Sequence, residues 1–203
     1  MGKLKFTKQE QKVQQDALKQ FKRFLPTLQL KKQQLQLEVR LSAEALELNT
    51  RAMEELEVEL ASCIAFFGSK EEAEFFESKV KIKEVKKGVA NIAGINIPTF
   101  DRVEFEELNW DLLSTSWYVD DAILALKKAV SLREARKILQ IQYELLFAEL
   151  RTTSQRVNLF EKVKIPECKE NIRKIGIMLG DLDTSAVARS KIAKKKTAAA
   201  AVI

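Results

Sequence analysis

An apolar ladder over residues 18–67 is the feature that most limits how this chain can fold. Its positions follow one another in alternating steps of three and four, and all of them are apolar except Lys32, Ser42 and Asn49. A heptad pattern that holds its phase for this long is typical of a coiled coil rather than of a lone amphipathic helix. At about 1.5 Å per residue, such a helix is roughly 75 Å long. It therefore needs a partner of similar length.

A second ladder near the other end of the chain supplies that partner. It runs from Tyr118 to Lys164 with the same alternation of three and four. The step of four is then repeated at Cys168, which is a stutter that locally unwinds a supercoil, and Pro166 lies inside it. If the two ladders pair antiparallel with Phe67 opposite Tyr118, the numbers of facing residues sum to about 185.

This pairing has consequences for the ends and for the irregular positions. Pro26 lies inside the first ladder, where a proline removes one hydrogen bond, so we expect a kink near residues 24–27. Residues past about Gly180 have no partner helix and are expected to project as a single helix, which is either a disordered tail or a peg inserted into a partner. Cys63 and Cys168 fall about 70 Å apart along the axis, which excludes a disulfide within the chain. We expect both cysteines to be small buried hydrophobic residues.

The segment between the ladders has a different pattern. Gly68 is expected to end the first helix, and Ser69 with Glu72 forms a capping box for a short helix over residues 70–78. Residues 80–85 then alternate with period two, residues 86–88 (Lys-Lys-Gly) resemble a turn, and residues 89–97 are apolar and β-branched before Pro98. These signals predict a small β-hairpin. Residues 101–117 are expected to be partly helical, with Trp110, Leu113 and Trp117 on one face. Their helical spacing favours packing against the hairpin over a platform for nucleic acid or sugar.

The predicted fold class is therefore mainly all-α: a long antiparallel two-helix coiled coil with a small central foot. We divide the chain into an N-terminal coiled-coil helix (1–67), a foot with a short helix and a β-hairpin (68–117), and a C-terminal coiled-coil helix with a basic projecting end (118–203). Scarcity of turn formers, with 6 Gly and 3 Pro in 203 residues, favours this arrangement.

Charge is distributed unevenly along the sequence. The overall formal charge is +6. Residues 1–32 hold 9 Lys and Arg against 2 acidic residues, and residues 151–203 hold 12 against 5, whereas residues 33–150 hold 14 against 22. Both ends are thus basic and the middle is acidic. Such an end can attract nucleic acid or an acidic protein cavity.

Composition excludes several kinds of catalytic site. The chain contains 2 Cys and no His, so a Cys/His zinc site, a Ser-His-Asp triad and a His-assisted cysteine nucleophile are impossible. The glycines form neither a Walker-type loop nor a G-x-G-x-x-G loop. We therefore expect a protein that is not itself an enzyme, with no catalytic residues, no cofactor and no bound metal. No stretch is apolar for long enough to span a membrane, so we expect no direct membrane insertion.

Several blocks of sequence resemble one known family. Residues 155–166 (QRVNLFEKVKIP) and 169–175 (KENIRKI) closely resemble the D subunit of V/A-type rotary ATPases, as do Leu179-Gly180-Asp181 and residues 188–194 (ARSKIAK). Residues 91–100 resemble the central hairpin region of that family. The resemblance covers essentially the whole chain. At residues 33–34 this sequence has Gln-Gln, where a basic-acidic pair is commoner in the family.

The resemblance implies a function that the residue pattern does not show. The family's members form the central-stalk rotor shaft of a proton- or sodium-translocating ATPase or ATP synthase. The paired terminal helices of the shaft stand inside the hexamer of A and B subunits, where the ATP chemistry occurs. Its foot binds the small F subunit of the rotor and sits on the funnel-shaped subunit of the membrane rotor ring. The resemblance also implies a cytoplasmic location, peripheral on the membrane through the complex, with no nucleic acid partner.

Two sets of contact residues follow as hypotheses. Basic residues expected to contact the hexamer are Arg156, Lys162, Arg189, Lys191, Lys194, Lys195 and Lys196. Apolar residues expected to contact partners at the foot are Val80, Ile82, Val85, Ile92, Ile95, Ile97 and Phe100.

Two other interpretations fit parts of the pattern. The gamma shaft of F-type ATP synthase is a related machine, but it carries a sizeable α/β domain between its helices, and only about fifty residues separate the ladders here. The second is a cytoskeletal or nucleic-acid-binding coiled-coil scaffold. It predicts dimerisation through the ladders, or DNA affinity that falls steeply with salt.

Overall fold

The computed structural model describes residues 4–61, 76, 78–106 and 118–200. Helix α1 spans Lys8–Ala61. Strands β1 (Ile82–Ile92) and β2 (Ile95–Phe105) form a two-stranded antiparallel sheet. Helix α2 spans Val119–Leu159, a π-helical turn follows at Phe160–Lys164, and helix α3 spans Ile165–Ala200. The predicted fold class, two long helices with a small central hairpin, is confirmed.

Several predictions concern positions outside the described residues. They are the helix end at Gly68, the capping box of Ser69 and Glu72, the packing of Trp110, Leu113 and Trp117, and the burial of Cys63. The described chain divides into two compact units, which are taken separately below. Unit 1 comprises Met1–Lys31 with Thr152–Ile203, and unit 2 comprises Lys32–Arg151.

In unit 1 the first part of helix α1 runs antiparallel to helix α3. The helix begins at Lys8, where the Thr7 hydroxyl accepts a hydrogen bond from the Glu10 amide (3.2 Å) as an N-cap. The rings of Phe21 and Phe160 contact each other with centroids 5.0 Å apart. Near the end of the pair, a Cβ at Gly176 would lie 3.5 Å from the Gln11 side-chain amide. These contacts agree with the predicted pairing to within about one helical turn.

The predicted stutter coincides with the π-helical turn. The Ile165 amide donates its hydrogen bond to the Phe160 carbonyl, five residues back instead of four. This wider turn takes up the extra residue in the heptad count, and Val157 before it and Cys168 after it are both buried. Pro166 comes directly after this turn, so the hydrogen bond that a proline cannot donate is missing where the regular helical pattern is already interrupted.

In unit 2 the rest of helix α1 runs antiparallel to helix α2. Leu35 and Leu146 are completely buried in one core cluster. Farther along, the Asn49 side-chain amide donates to the Leu132 carbonyl (3.2 Å). A second cluster gathers Phe76, Val119, Ala122 and Ile123.

The hairpin turn was placed wrongly by the sequence pattern. The turn lies at Ala93-Gly94, both with positive φ (52° and 84°), and the Asn91 side-chain oxygen accepts the Gly94 amide (3.2 Å). The predicted turn at residues 86–88 is instead within β1, next to a register shift at Lys86/Lys87. At Gly88 a Cβ would lie 2.5 Å from the Thr99 hydroxyl, so a larger residue there requires the Thr99 side chain to move.

The second strand is also longer than predicted. Pro98 does not end it, because a two-stranded sheet leaves each strand one free edge on which a missing amide is harmless. Residues 101–105, which were expected to belong to a partly helical segment, continue β2.

Candidate functional site

Within unit 2 the hairpin lies along helix α2. At one end the Lys127 ammonium lies 5.7 Å from the centre of the Phe105 ring, and farther along the Gln142 side-chain amide donates to the Pro98 carbonyl. Seven strand residues cover about 23 Å, and fifteen helix residues cover about 22 Å. The two contacts are therefore separated by nearly the same distance along β2 as along helix α2. Strand β2 thus runs beside the helix toward Leu146.

The inner face of the hairpin completes the core of unit 2. Ile97 is 3% exposed and packs in the cluster of Leu35 and Leu146. Ala90, Ile92, Ala93 and Ile95 are partly buried against the same cluster. The methyl group of Ala93 thus packs against apolar side chains, which explains why a turn position with positive φ holds alanine rather than the usual asparagine.

The seven predicted foot residues fall into different environments. Val80 packs on the cluster around Ile123, while Val85 and Phe100 are half-buried and Ile82 is 41% exposed. The side chains of Ile92, Ile95 and Ile97 are engaged inside the chain, as described above. Contact of this set with partner proteins stays a prediction.

One exposed residue of the hairpin was missed by the sequence analysis. Val89 is 76% exposed and pairs across the strands with Pro98. Side chains alternate between the two faces of a strand, so Val89 lies on the face opposite to Ala90. With the turn placed at Ala93-Gly94, this alternation predicts that Val89 is exposed. The outer face of the hairpin therefore offers an apolar side chain to a partner.

An ionic cluster joins the two strands near the register shift. The Glu104 carboxylate accepts hydrogen bonds from the Lys86 ammonium and from the Arg102 guanidinium (3.1 Å). The Lys86 hydrogen bond, with the positive charge of both neighbours, lowers the pKa of Glu104 below its ordinary value. The carboxylate therefore stays ionised and holds this part of the sheet.

An open groove of about 540 Å³ lies between helices α1 and α2 of unit 2. It is lined by Gln33, Gln36, Leu37, Val39, Arg40, Ala43, Tyr143 and Leu150. The lining offers amides, apolar side chains, one phenol and one guanidinium, but no carboxylate or thiol. Such a lining suits contact with another chain better than acid-base chemistry. Among the described residues no group of three or more His, Cys, Asp or Glu could hold a metal ion.

In unit 1 the end of helix α3 is bare. Every side chain from Asp181 to Thr197 is exposed, including the apolar Leu182, Val187 and Ile192. The helix therefore continues beyond the stretch in which it is paired, as the ladders predicted. None of the helices in the described part of the chain combines the length and the apolar character that crossing a membrane requires.

The predicted hexamer-contact residues all fall in unit 1. Five of them lie on the bare end of helix α3: Arg189, Lys191, Lys194, Lys195 and Lys196. The other two are also exposed but lie elsewhere, Arg156 in the last turn of helix α2 and Lys162 in the π-helical turn. The bare end of helix α3 thus gathers most of the set.

Known proteins of similar sequence identify the family of this chain. The family model described as the D subunit of ATP synthase matches residues 10–195. The V-type ATP synthase D subunit of Borreliella burgdorferi is 47% identical, over 96% of this chain and 95% of that one. The D subunits of Chlamydia muridarum (35%, 96% of each chain) and Chlamydia felis (30%, 96% and 94%) are also similar. The chain therefore belongs to the family of ATP synthase D subunits and is a V/A-type ATPase subunit.

Proposed function

We propose that this chain is the central rotor shaft of its ATPase, coupling ATP hydrolysis or synthesis in the A/B hexamer to rotation of the membrane ring. The observation that carries the proposal is the bare end of helix α3. The seventeen consecutive residues Asp181–Thr197 are all exposed, so packing within the described chain does not stabilise the helix there. Insertion into a surrounding partner gives its apolar and basic side chains a surface to contact.

Charge supports an acidic surrounding for unit 1. Its two segments contain 19 Lys and Arg residues against 7 Asp and Glu. Exposed ion pairs contribute only about 0–1 kcal/mol each, so cations such as Lys191 and Lys194 can exchange partners as a rotor turns. The proposed contact set is the seven residues from Arg156 to Lys196 named above.

We further propose that the hairpin faces the small rotor protein, the F subunit, and the funnel-shaped subunit of the membrane ring, on the cytoplasmic side. Its outer face carries the exposed Val89, and Ile82 at the start of β1 is also exposed, so both side chains can reach a partner. The inner isoleucines support this role indirectly, because they hold the hairpin against helices α1 and α2. In this role the chain contributes no catalytic group, and the A/B hexamer performs the ATP chemistry.

The scaffold interpretation is less well supported. A homodimer built through the ladders needs their apolar positions at an intermolecular seam. In unit 2, Leu35 and Leu146 are fully buried within one chain, and Asn49 bonds the opposite helix of the same chain. The seam is thus already occupied.

Co-purification with the A and B subunits tests the proposal. Full-length chain, a chain ending at Gly180, and a variant with Lys191, Lys194, Lys195 and Lys196 replaced by alanine are each mixed with the hexamer. We expect the full chain to bind and to change the ATPase rate, the shortened chain to bind far more weakly, and the alanine variant to lose affinity with a smaller salt dependence. Equal binding by all three would remove the basis of the proposal.

A further inference from the structure

Five cations form a stripe on the N-terminal part of helix α1. Lys8, Lys12, Lys19, Lys22 and Arg23 fall within about 100° of one another at 100° per residue, along about 22 Å of helix. All five side chains are exposed. We call this set the α1 stripe.

The α1 stripe is not neutralised by its own chain. None of the five cations forms an ion pair with any described residue. Between Lys8 and Arg23 the helix contains only two carboxylates, Glu10 and Asp16, and Glu10 accepts a hydrogen bond from Gln14 (3.0 Å).

The other helix of unit 1 behaves differently along its paired part. On and beside helix α3, Lys164 pairs with Glu167 (3.2 Å) and Lys174 pairs with Glu170 (2.9 Å). The Lys174 hydrogen bond lowers the pKa of Glu170, so that pair is ionised at neutral pH. One side of unit 1 thus has partners for some of its lysines, while the α1 stripe has none.

The α1 stripe is also separate from the bare end of helix α3. Gln11 lies beside Gly176, and Phe21 lies beside Phe160. The stripe is therefore level with the paired region around residues 160–176, whereas the bare end begins at Asp181, beyond that pairing. Unit 1 presents two basic surfaces at different heights.

We propose that the α1 stripe binds carboxylates of the A/B hexamer at a second level along the shaft. This level is that of the paired region around residues 160–176, not that of the bare end of helix α3. This inference rests on the proposed function. As the shaft turns inside the hexamer, a line of five unpaired cations can meet the carboxylates of successive subunits. Each exposed ion pair is weak enough to break as the shaft moves on. Single-stranded nucleic acid is a poorer match, because its binding sites interleave cations with stacking aromatics and no aromatic position falls within this arc of helix α1.

Charge-matched variants of the full chain test the inference. The stripe variant is K8Q/K12Q/K19Q/K22Q/R23Q. The end variant, R189Q/K191Q/K194Q/K195Q/K196Q, removes the same charge from helix α3. The control variant, K81Q/K83Q/K87Q/K128Q/R133Q, removes it from exposed positions of unit 2. Far-ultraviolet circular dichroism and thermal unfolding confirm that each variant is folded before its affinity for the purified A/B hexamer is measured.

The expected result is specific to each variant. At low salt we expect the stripe variant to bind the hexamer about tenfold or more weakly than the unchanged chain, with the difference largely lost near about 0.5 M salt. The control variant should remain within about threefold. Because the two surfaces lie at different heights, combining the stripe and end variants should multiply their fold-changes.

Other outcomes distinguish a failure of the α1 stripe contact from a failure of the proposed function. If the end variant is weakened but the stripe variant matches the control, the α1 stripe has no such role and the proposed function stands. If neither is weakened, the proposed function itself fails. A combined variant no weaker than the end variant alone would contradict a second level of contact. Binding of single-stranded DNA that depends on the stripe, without any change in hexamer affinity, would also overturn the inference.

Discussion

Asn49 of helix α1 donates a hydrogen bond from its side-chain amide to the carbonyl oxygen of Leu132 on helix α2, at 3.2 Å. The other side-chain atom, Oδ1, is buried and has no hydrogen-bond partner among the described residues. A buried acceptor without a partner destabilises the folded state by about 1–3 kcal/mol. Asn49 interrupts the apolar ladder, and we expect it to fix the register of the two helices at a cost in stability, as polar seam residues can do in coiled coils.

Replacing this residue by an apolar one should therefore stabilise the protein. We expect Asn49→Leu to raise the free energy of unfolding by about 1 kcal/mol, because it removes the unsatisfied oxygen and adds apolar burial. Urea denaturation followed by circular dichroism measures the change. Asn158→Leu, at an exposed position of helix α2, is the matched control and should change little. A clear loss of stability in Asn49→Leu would contradict a net cost of asparagine at this position.

Two isoleucines of the hairpin should differ sharply on truncation. Ile97 is 3% exposed in the core of unit 2, whereas Ile82 is 41% exposed. We expect Ile97→Ala to lower the stability by about 2–4 kcal/mol and to raise hydrogen exchange throughout both strands. Ile82→Ala should cost less than about 0.5 kcal/mol. Similar effects of the two changes would contradict the packing of the hairpin against the helices.

The aromatic pair beside the π-helical turn should be energetically coupled. Phe21 and Phe160 have ring centroids 5.0 Å apart and an interplanar angle of 41°. In a double-mutant cycle of alanine replacements we expect a coupling energy of about 0.5–1.5 kcal/mol. The cycle of Phe160 with Val13, an exposed residue on helix α1, serves as the reference and should give none beyond error. Coupling that is equal in both cycles would argue against direct ring contact.

The buried thiol of Cys168 should give stability a specific pH dependence. Burial raises the pKa of this thiol above its ordinary value, the negative charge of Glu167 raises it further, and Lys164 partly opposes this. The folded chain then keeps the proton to a higher pH than the unfolded chain does. Its contribution to stability is complete below the ordinary thiol pKa of about 8.5 and declines as pH rises above that value.

The measurement compares Cys168 and Cys168→Ser chains, both with Cys63→Ser, by chemical denaturation at pH 7 and pH 9.5. We expect the difference in stability between the two chains to shift against the Cys168 chain at the higher pH. Native Cys168 should also react slowly with iodoacetamide and quickly in denaturant, because the thiolate is the reactive form. Rapid alkylation under native conditions would contradict its burial.

Much of the fold was accessible from sequence because the heptad pattern is local and long. The phase of the ladders predicted which residues face one another, and the stutter before Cys168 anticipated the wide turn at Phe160–Lys164. Apolar periodicity reports helix faces directly, so such features need no knowledge of distant contacts.

The hairpin was harder to predict for two physical reasons. Its true turn begins with Ala93, a residue type that seldom adopts positive φ, whereas Lys-Lys-Gly at residues 86–88 resembles a turn. The packing of Ile97 with Leu35 and Leu146 joins residues far apart in sequence, which no local pattern encodes. For the candidate site, sequence identified basic residues such as Lys191, but only structure distinguishes lysines paired within a helix from the unpaired α1 stripe.

Single-molecule observation of rotation is the most direct test of the central claim. After both native cysteines are replaced by serine, Val89→Cys provides an attachment point on the outer face of the hairpin, where the side chain is 76% exposed. A bead is attached there, and the A/B hexamer is fixed to a surface. On addition of ATP, we expect the bead to turn repeatedly in one direction and to stop when ATP is exhausted. Continued ATP hydrolysis with a bead that stays bound but never turns would contradict the rotor assignment.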